Sequence, residues 1–283
     1  MARFTNQAQL RYGNAVANSN IAVGEILEVL SATKTAVQDN YGQNDSITYI
    51  ISIVNAGNTA FNGLTIEDNL GSYTFNTTTL TPLTYVNATI KYYINGILQP
   101  TPAVTPGPPL TITGISVPAS GNTTIVYEAA LNEYAPVATE SEITNTATIT
   151  GGGITPITVD ETVEALSEPI LSITKSVSPV PVTENGTLTY TFLIQNNGNT
   201  AADITDALTV TDTFDPKLTN LSVSFNGTAW SEPTNYTYDE TTGLFSTVPG
   251  QITVPAATFT QNPTTGSWIV TPGTSTLTVT GTI

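Results

Sequence analysis

Two lysines occupy positions where the pattern of the sequence places a charged side chain on an apolar face. Alternate residues are apolar between Leu30 and Lys34, so a strand here would point Lys34 toward the same side as Leu30. The segment that ends at Lys175 repeats the pattern. An ammonium group removed from water must find a partner or lower its pKa, and a neutral lysine amine is a nucleophile. Lys34 and Lys175 are therefore candidates for covalent chemistry.

Carboxylates and an asparagine follow the same alternation in other predicted strands. Asp68 and Asp212 each share a face with apolar neighbours, and Asn145 does so near the end of the first half of the chain. A carboxyl group kept protonated by burial can polarise a carboxamide and shuttle a proton. Lys34 and Asn145 would then join in an isopeptide bond with loss of ammonia. Asp68 and Asp212 would promote this self-cross-linking, the one catalytic role expected of the chain.

A second interpretation of the same residues involves no reaction. A buried lysine and aspartate can form an ion pair that hydrogen-bonds to a neighbouring asparagine, and such pairs occur without covalent bonds. The sequence alone leaves both interpretations open.

The elements that position these residues are short strands. Runs of Val, Ile, Thr, Tyr and Phe alternate with polar residues and are separated by turn sequences such as NAGN, NNGN and TPGT. Even spacing without intervening helices predicts an all-β class built from sandwich domains.

An internal repeat divides the chain. Residues 31–60 read SATKTAVQDNYGQNDSITYIISIVNAGNTA, and residues 172–201 read SITKSVSPVPVTENGTLTYTFLIQNNGNTA. The repeat aligns Lys34 with Lys175, and Asp68 with Asp212. Two tandem Ig-like β-sandwich domains are predicted, domain 1 over residues 30–166 and domain 2 over residues 167–283.

The segment that closes domain 1 has a counterpart at the start of the chain instead of at its end. FTNQAQL at Phe4–Leu10 resembles ITNTATI at Ile143–Ile149, whereas the sequence ends with TLTVTGTI. Residues 1–29 are therefore predicted to be an N-terminal donor-strand arm, and domain 2 is predicted to lack its final strand.

An incomplete sandwich exposes backbone hydrogen-bonding groups and a strip of core, and a strand from another chain repairs both defects. Phe4, Asn6, Ala8 and Leu10 share one face of the predicted donor strand. A head-to-tail contact that does not close on itself grows a filament. Asn6 of one subunit would then bond to Lys175 of the next. In the alternative, the arm folds back on its own domain 2 or frays.

Composition excludes several classes of function. Among 283 residues, 6 are basic and 22 acidic, histidine and cysteine are absent, and the net charge is −16. The chain cannot build the basic patch that binds nucleic acid or an anionic membrane, and it cannot form a disulfide, a Cys/His zinc site or a histidine-dependent triad. No cofactor, no metal site and no activity as an enzyme on other molecules are expected. The N-terminus shows no cleavable signal peptide, and no apolar run is long enough to span a membrane.

The motif series TK, LTYTFLIQNNGNTA, LTVTDTF and TNTATIT resembles a conserved-repeat domain, domain of unknown function eleven, of surface proteins from Gram-positive bacteria and archaea. A two-domain chain of this size also resembles major subunits of bacterial endospore appendages. The resemblance implies a structural protein of the spore surface or of an extracellular filament, assembled in the mother cell and released by lysis. Its partner would be itself, with anchoring or capping proteins at the ends. The alternative function is an adhesin or ligand-binding module that does not polymerise.

Overall fold

The protein is described by a computed structural model that covers residues 2–26 and 29–283. Within these residues the chain forms strands joined by turns, and its one helical element is a 3₁₀ turn at Ile204–Asp206. This part of the chain therefore contains no helix that is long and apolar enough to cross a membrane.

Residues 2–26 of the N-terminal arm form four strands, which pair with one another. β1 is antiparallel to β4, and β2 is antiparallel to β3 at the tip of the same hairpin. The strands are β1 (Ala2–Asn6), β2 (Gln9–Tyr12), β3 (Ala15–Asn18) and β4 (Ala22–Ile26). Large apolar side chains along this hairpin lie in solvent, including Phe4, Leu10 and Tyr12. In the part of the arm whose exposure is described, these apolar side chains are therefore not enclosed in a core.

Domain 1 contains fourteen strands in two main sheets. The first sheet has the order β13-β12-β16-β7-β5, with β11 also paired to β16, and the second has the order β14-β15-β8-β17-β18-β6. The strands are β5 (Leu30–Ala36), β6 (Asn40–Tyr41), β7 (Ser46–Asn55), β8 (Phe61–Asp68), β9 (Tyr73–Phe75), β10 (Thr78–Leu80), β11 (Leu83–Tyr85), β12 (Lys91–Ile94), β13 (Ile97–Gln99), β14 (Ala103–Thr105), β15 (Leu110–Val117), β16 (Gly121–Leu131), β17 (Glu142–Gly151) and β18 (Ile157–Ala165).

Alternation along these strands produces the core of domain 1. Side chains on β7 alternate between buried and more exposed, because successive residues of a strand point to opposite faces. The fully buried side chains include Ile47, Tyr49, Ile51, Ile53, Leu64, Ile66, Ile112, Ile125, Tyr127, Ala147 and Ile149. Residues from both sheets thus meet in a sandwich interior.

Domain 2 repeats the strand order of the first sheet of domain 1, without a separate counterpart of β11. Its five-stranded sheet has the order β19-β20-β28-β22-β23, and a three-stranded sheet has the order β21-β25-β24. The strands are β19 (Leu171–Ser178), β20 (Thr187–Asn196), β21 (Thr211–Thr213), β22 (Thr219–Phe225), β23 (Thr228–Trp230), β24 (Tyr236–Asp239), β25 (Leu244–Thr247), β26 (Thr258–Gln261), β27 (Trp268–Thr271) and β28 (Gly273–Thr282). The predicted all-β class with tandem sandwiches is confirmed by these sheets.

The turns NAGNTA at Asn55–Ala60 and NNGNTA at Asn196–Ala201 have the same internal hydrogen bonds. Asn55 donates from Nδ2 to the carbonyl of Thr59 at 2.8 Å, and Asn196 donates to the carbonyl of Thr200 at 2.8 Å. Each asparagine also accepts from the backbone N–H two residues later. A buried asparagine that satisfies the backbone of a turn explains why this part of the repeat is nearly identical in the two halves.

The chain divides into two compact units. The first comprises residues up to Asp39 together with Asn44–Asn132 and Ile143–Val163, and the second comprises Asn40–Gln43, Glu133–Glu142 and Glu164–Ile283. The second unit thus contains domain 2 together with short segments that the sequence analysis assigns to domain 1.

Candidate cross-linking sites and the open edge of domain 2

Domain 1 brings its predicted lysine, aspartate and asparagine into one buried cluster. Lys34 on β5 places Nζ 2.6 Å from Oδ2 of Asp68 at the end of β8. Both side chains are removed from solvent, and Asn145 on β17 is likewise fully buried. The Oδ1 atom of Asn145 accepts a hydrogen bond from the backbone N–H of Gly71 at 3.2 Å. The carboxamide therefore has its oxygen held by a backbone donor.

A fourth side chain, Tyr127 on β16, connects the aspartate to the asparagine. Its hydroxyl donates to Oδ2 of Asp68, the same oxygen that contacts Lys34, and it accepts from Nδ2 of Asn145 at 3.4 Å. The other carboxylate oxygen of Asp68 accepts from the backbone N–H of Leu70 at 2.9 Å. The four side chains thus form a continuous hydrogen-bonded chain through the core.

Burial dominates the electrostatics of this cluster. Desolvation lowers the pKa of Lys34 from 10.5 to about 8, although the nearby Asp68 carboxylate acts in the opposite direction. Burial raises the pKa of the Tyr127 hydroxyl well above its usual range, and Asp68 adds to this effect. Near neutral pH the site therefore contains a hydroxyl that keeps its proton and a lysine that gives up its proton more readily than an exposed one.

Tyr127 is not among the residues that the sequence predicts for this site. The alternation along β16 could have found it: Tyr127 lies two residues from Ile125 and from Ala129, so all three side chains point to the inner face of the strand. Its ring stacks on that of Tyr49, with centroids 5.6 Å apart, and Lys34 Nζ lies 4.8 Å from the centroid of Tyr49. A buried aromatic residue at such a position is usually a packing residue, so parity alone does not reveal the role of the hydroxyl.

Domain 2 contains the matching lysine and aspartate in a more open setting. Lys175 on β19 contacts Oδ2 of Asp212 on β21. The Lys175 side chain is 39% exposed and the Asp212 side chain 19%, whereas the Lys34 and Asp68 side chains are both 0% exposed. The same pair of charged side chains is thus covered in domain 1 and partly uncovered in domain 2.

The difference lies in the strand beside the aspartate. In domain 1, β8 pairs with β15 on one side and with β17 on the other, with Ala147 opposite Asp68. Within residues 29–283 the corresponding strand β21 pairs with β25 alone. The opposite edge of β21 presents the backbone groups that β17 satisfies in domain 1.

A cavity lies beside this open edge. It has a volume of about 170 Å³ and is lined by Leu171, Ser172, Ile173, Ile194, Leu208, Thr209, Val210 and Ile252. Every residue of β19 is exposed, and Ile173 is 53% exposed, although the matching strand β5 is partly buried. The cavity is therefore an uncovered strip of the core of domain 2.

The N-terminal arm is an exposed copy of the hairpin that domain 1 uses in the corresponding place. Thr5 on β1 lies opposite Val23 on β4. In the β17–β18 hairpin, the hydroxyl of Thr144, the counterpart of Thr5, lies 2.8 Å from that of Thr162. In both segments the strand with the shared sequence therefore pairs with a strand that follows it in the chain.

The donor-face residues of the arm are exposed where their counterparts in domain 1 are buried. Phe4 is 55% exposed and Leu10 is 64% exposed, and Asn6 and Ala8 are also exposed. The corresponding residues of β17 are all buried, namely Ile143, Asn145, Ala147 and Ile149. The predicted donor face therefore repeats the pattern of the inner face of β17 but is exposed to solvent.

The described residues contain no group of three or more Asp, Glu, His or Cys side chains placed to hold a metal ion.

Neither family models nor curated proteins match the sequence. Among solved structures, the chain is similar to BcpA, the major pilin subunit of Bacillus cereus, with a TM-score of 0.36 and 13% identity over 96% of this chain and 73% of that one. It is similar to the pilus backbone RrgB from Streptococcus pneumoniae, with a TM-score of 0.36 and 13% identity over 86% and 55% of the two chains. It is also similar to the collagen-binding domain of a Staphylococcus aureus adhesin, with a TM-score of 0.31 and 14% identity over 50% and 99%. Likenesses at this level transfer neither a ligand nor an assembly mechanism to this chain, whose fold rests on its own sheets.

Proposed function

We propose that this protein is the structural subunit of an extracellular or spore-surface filament, in which the arm of one subunit completes domain 2 of the next. The observation that carries the proposal is a pair of complementary features: an open edge on β21, and an exposed hairpin that copies the one closing domain 1. Because donor and acceptor lie on different surfaces of the subunit, the contact is heterologous and extends head to tail.

The geometry of domain 1 supplies the register of the contact. Ala147 lies opposite Asp68, and Ile149 lies opposite Ile66. By the same pairing, Ala8 of the arm would lie opposite Asp212, and Leu10 would lie opposite Val210. Val210 lines the exposed cavity of domain 2, so the Leu10 side chain would fill that cavity.

The docked arm would also deliver Asn6 to the Lys175–Asp212 pair, as β17 delivers Asn145 to Lys34 and Asp68. In each site Nζ of the lysine would attack Cγ of the asparagine. The new Nζ–Cγ bond replaces the Cγ–Nδ2 bond, the amide nitrogen leaves as ammonia, and the aspartate carries protons between the two nitrogens. Lys34 and Asn145 would lock domain 1, and Lys175 and Asn6 would join neighbouring subunits. Asp68 and Asp212 would promote these bonds, and the buried ion pair without a bond is the competing state.

A filament role also fits the surface of the chain. Only 10% of its residues are charged, and hydroxyl and amide side chains cover the strands instead. The resemblance to endospore-appendage subunits extends the proposal to assembly in the mother cell and release by lysis, with anchoring or capping proteins at the filament ends. An adhesin or binding module would instead remain monomeric.

The test compares two double variants that add the same charge to opposite faces of the arm. Phe4→Asp with Leu10→Asp places two carboxylates on the donor face, and Thr5→Asp with Gln9→Asp places them on the other face. Negative-stain microscopy should show filaments for the wild type and for the Thr5/Gln9 variant, and monomers for the Phe4/Leu10 variant. Filaments from the Phe4/Leu10 variant would exclude donation by the arm, and a wild-type protein that stays monomeric would favour the binding module.

A further inference from the structure

The hydroxyl of Tyr127 bridges the two groups of domain 1 on which an isopeptide reaction depends. It donates to Oδ2 of Asp68 and accepts from Nδ2 of Asn145, and Nδ2 is the nitrogen that would leave as ammonia. Oδ2 of Asp68 is in turn the oxygen that contacts Nζ of Lys34. The order of groups is therefore amine, carboxylate, phenol and leaving nitrogen.

Expulsion of an amide nitrogen requires a proton, because an amide anion is too basic to leave. Asp68 can receive a proton from Lys34. Its hydrogen-bonded connection to Asn145 runs through the Tyr127 hydroxyl. A phenol in this position can pass one proton to the nitrogen while taking another from the carboxyl group. Burial raises the pKa of Tyr127, so the hydroxyl retains its proton at neutral and moderately alkaline pH.

We propose that Tyr127 is a catalytic residue of the domain 1 cross-link and delivers the proton to the departing nitrogen of Asn145. The inference rests on the proposed isopeptide bond. Lys34 transfers a proton to Asp68, and its amine adds to Cγ of Asn145. Nδ2 is pyramidal in the adduct, and it takes the proton of Tyr127 while Tyr127 takes the proton of Asp68. Nζ of Lys34 then loses its second proton to the Asp68 carboxylate. The Cγ–Nδ2 bond then breaks, and the departing ammonia carries the remaining proton away as ammonium.

This relay is confined to domain 1. Tyr49 lies opposite Tyr127 in the sheet, whereas its counterpart Tyr190 lies opposite Val279. The ring of Phe214 stacks on Tyr190 instead, with centroids 4.8 Å apart, and neither Val279 nor Phe214 has a hydroxyl. The bond between Lys175 and Asn6 would therefore form without a phenol at this position, and the two bonds of the filament should respond differently to one substitution.

The test follows bond formation in the full chain after cell-free synthesis, with samples quenched in denaturant at intervals. Intact mass of the monomer reports the domain 1 bond as the loss of one ammonia, and denaturant-resistant multimers report the bond between subunits. Tyr127→Phe should slow the domain 1 bond by roughly 100-fold or more, the usual contribution of a positioned acid. The same variant should form multimers at the wild-type rate. Tyr49→Phe removes a hydroxyl from the stacked ring and should leave both rates unchanged.

Each other result overturns the inference. Equal rates in Tyr127→Phe and wild type exclude the relay while leaving the cross-link in place, and equal slowing by Tyr49→Phe assigns the effect to packing. A wild-type monomer that never loses ammonia excludes the bond itself and the relay with it. Folding is separated from chemistry in a Lys34→Arg background, where no bond forms. There, adding Tyr127→Phe should change the urea midpoint of domain 1 only slightly, and a collapse of the fold would assign Tyr127 a structural role instead.

Discussion

The buried amine of Lys34 makes the stability of domain 1 depend on pH, and the dependence disappears if the amine is converted to an amide. In an Asn145→Ala variant no bond can form, so Lys34 still titrates. Its pKa is about 8 in the folded protein and 10.5 as an ordinary lysine. Between these values the unfolded chain binds more protons than the folded one, so the free energy of unfolding rises as the pH rises.

The size of the effect follows from the width of this window. One pH unit contributes about 1.4 kcal/mol, so domain 1 of the Asn145→Ala variant should gain about 2 kcal/mol between pH 8 and 9.5. At the upper limit of 9.5, roughly a quarter of the tyrosines in the unfolded chain are ionised, because their ordinary pKa is about 10. The raised pKa values of Tyr41 and Tyr127 therefore oppose the trend by only a few tenths of a kcal/mol within this window.

Urea unfolding followed by circular dichroism at four pH values between 8 and 9.5 measures the effect. An Asn145→Ala/Lys34→Arg variant is the matched control, because a guanidinium does not titrate in this window and its stability should not rise. A flat or falling curve for Asn145→Ala itself would refute the reasoning. A cross-linked wild type should lack the rise, so a wild-type curve that parallels the Asn145→Ala curve would show that the bond is absent.

The arm and the open edge of domain 2 support two more predictions. In an Asn6→Ala background, where assembly is reversible, Leu10→Ala should raise the critical concentration for filaments roughly 5- to 30-fold, and Gln9→Ala should not. Leu10 is 64% exposed in the free arm, so docking removes about two thirds of its apolar surface from water, which contributes about 1–2 kcal/mol. A sedimentation assay measures the critical concentration, and equal increases for Leu10→Ala and Gln9→Ala would contradict the proposed donor face. Lys175→Arg should still form filaments, but denaturant should disperse them to monomers on a gel, because a guanidinium remains protonated and cannot form the amide bond. A persistent ladder of multimers would exclude Lys175 as the linking residue.

Much of the fold could be predicted because buried strands alternate. The alternation of apolar and polar residues predicts that Lys34, Asp68 and Asn145 point to the inner faces of their strands. The three side chains do lie together in the core of domain 1. The repeat likewise aligned Lys175 with Asp212, which are in contact. Alternation and repetition are local properties, so they can be read without knowledge of the distance between the sheets.

The part that could not be predicted depends on that distance. The partner of the Tyr127 hydroxyl is set by how far its ring extends toward the opposite sheet, which no strand pattern encodes. The repeat does not point to this position either, because Val279 stands in place of the tyrosine in domain 2. The paired strands β26 and β27 lie between Val254 and β28, where domain 1 has only a short turn between β15 and β16, so the repeat did not predict them.

The resemblance between the two hairpins raises a question of competition, since an arm that fits domain 2 should also fit domain 1. The β17–β18 hairpin is tethered to domain 1 by the residues between Leu131 and Glu142. A tether of this length gives the hairpin an effective local concentration on the order of millimolar, which a free arm in dilute solution does not match. In the proposed filament, domain 1 would thereby be closed to arms from other chains, and domain 2 would be the acceptor of each subunit. Such a filament would grow as an unbranched chain, with its direction fixed by the position of the hairpin in the sequence.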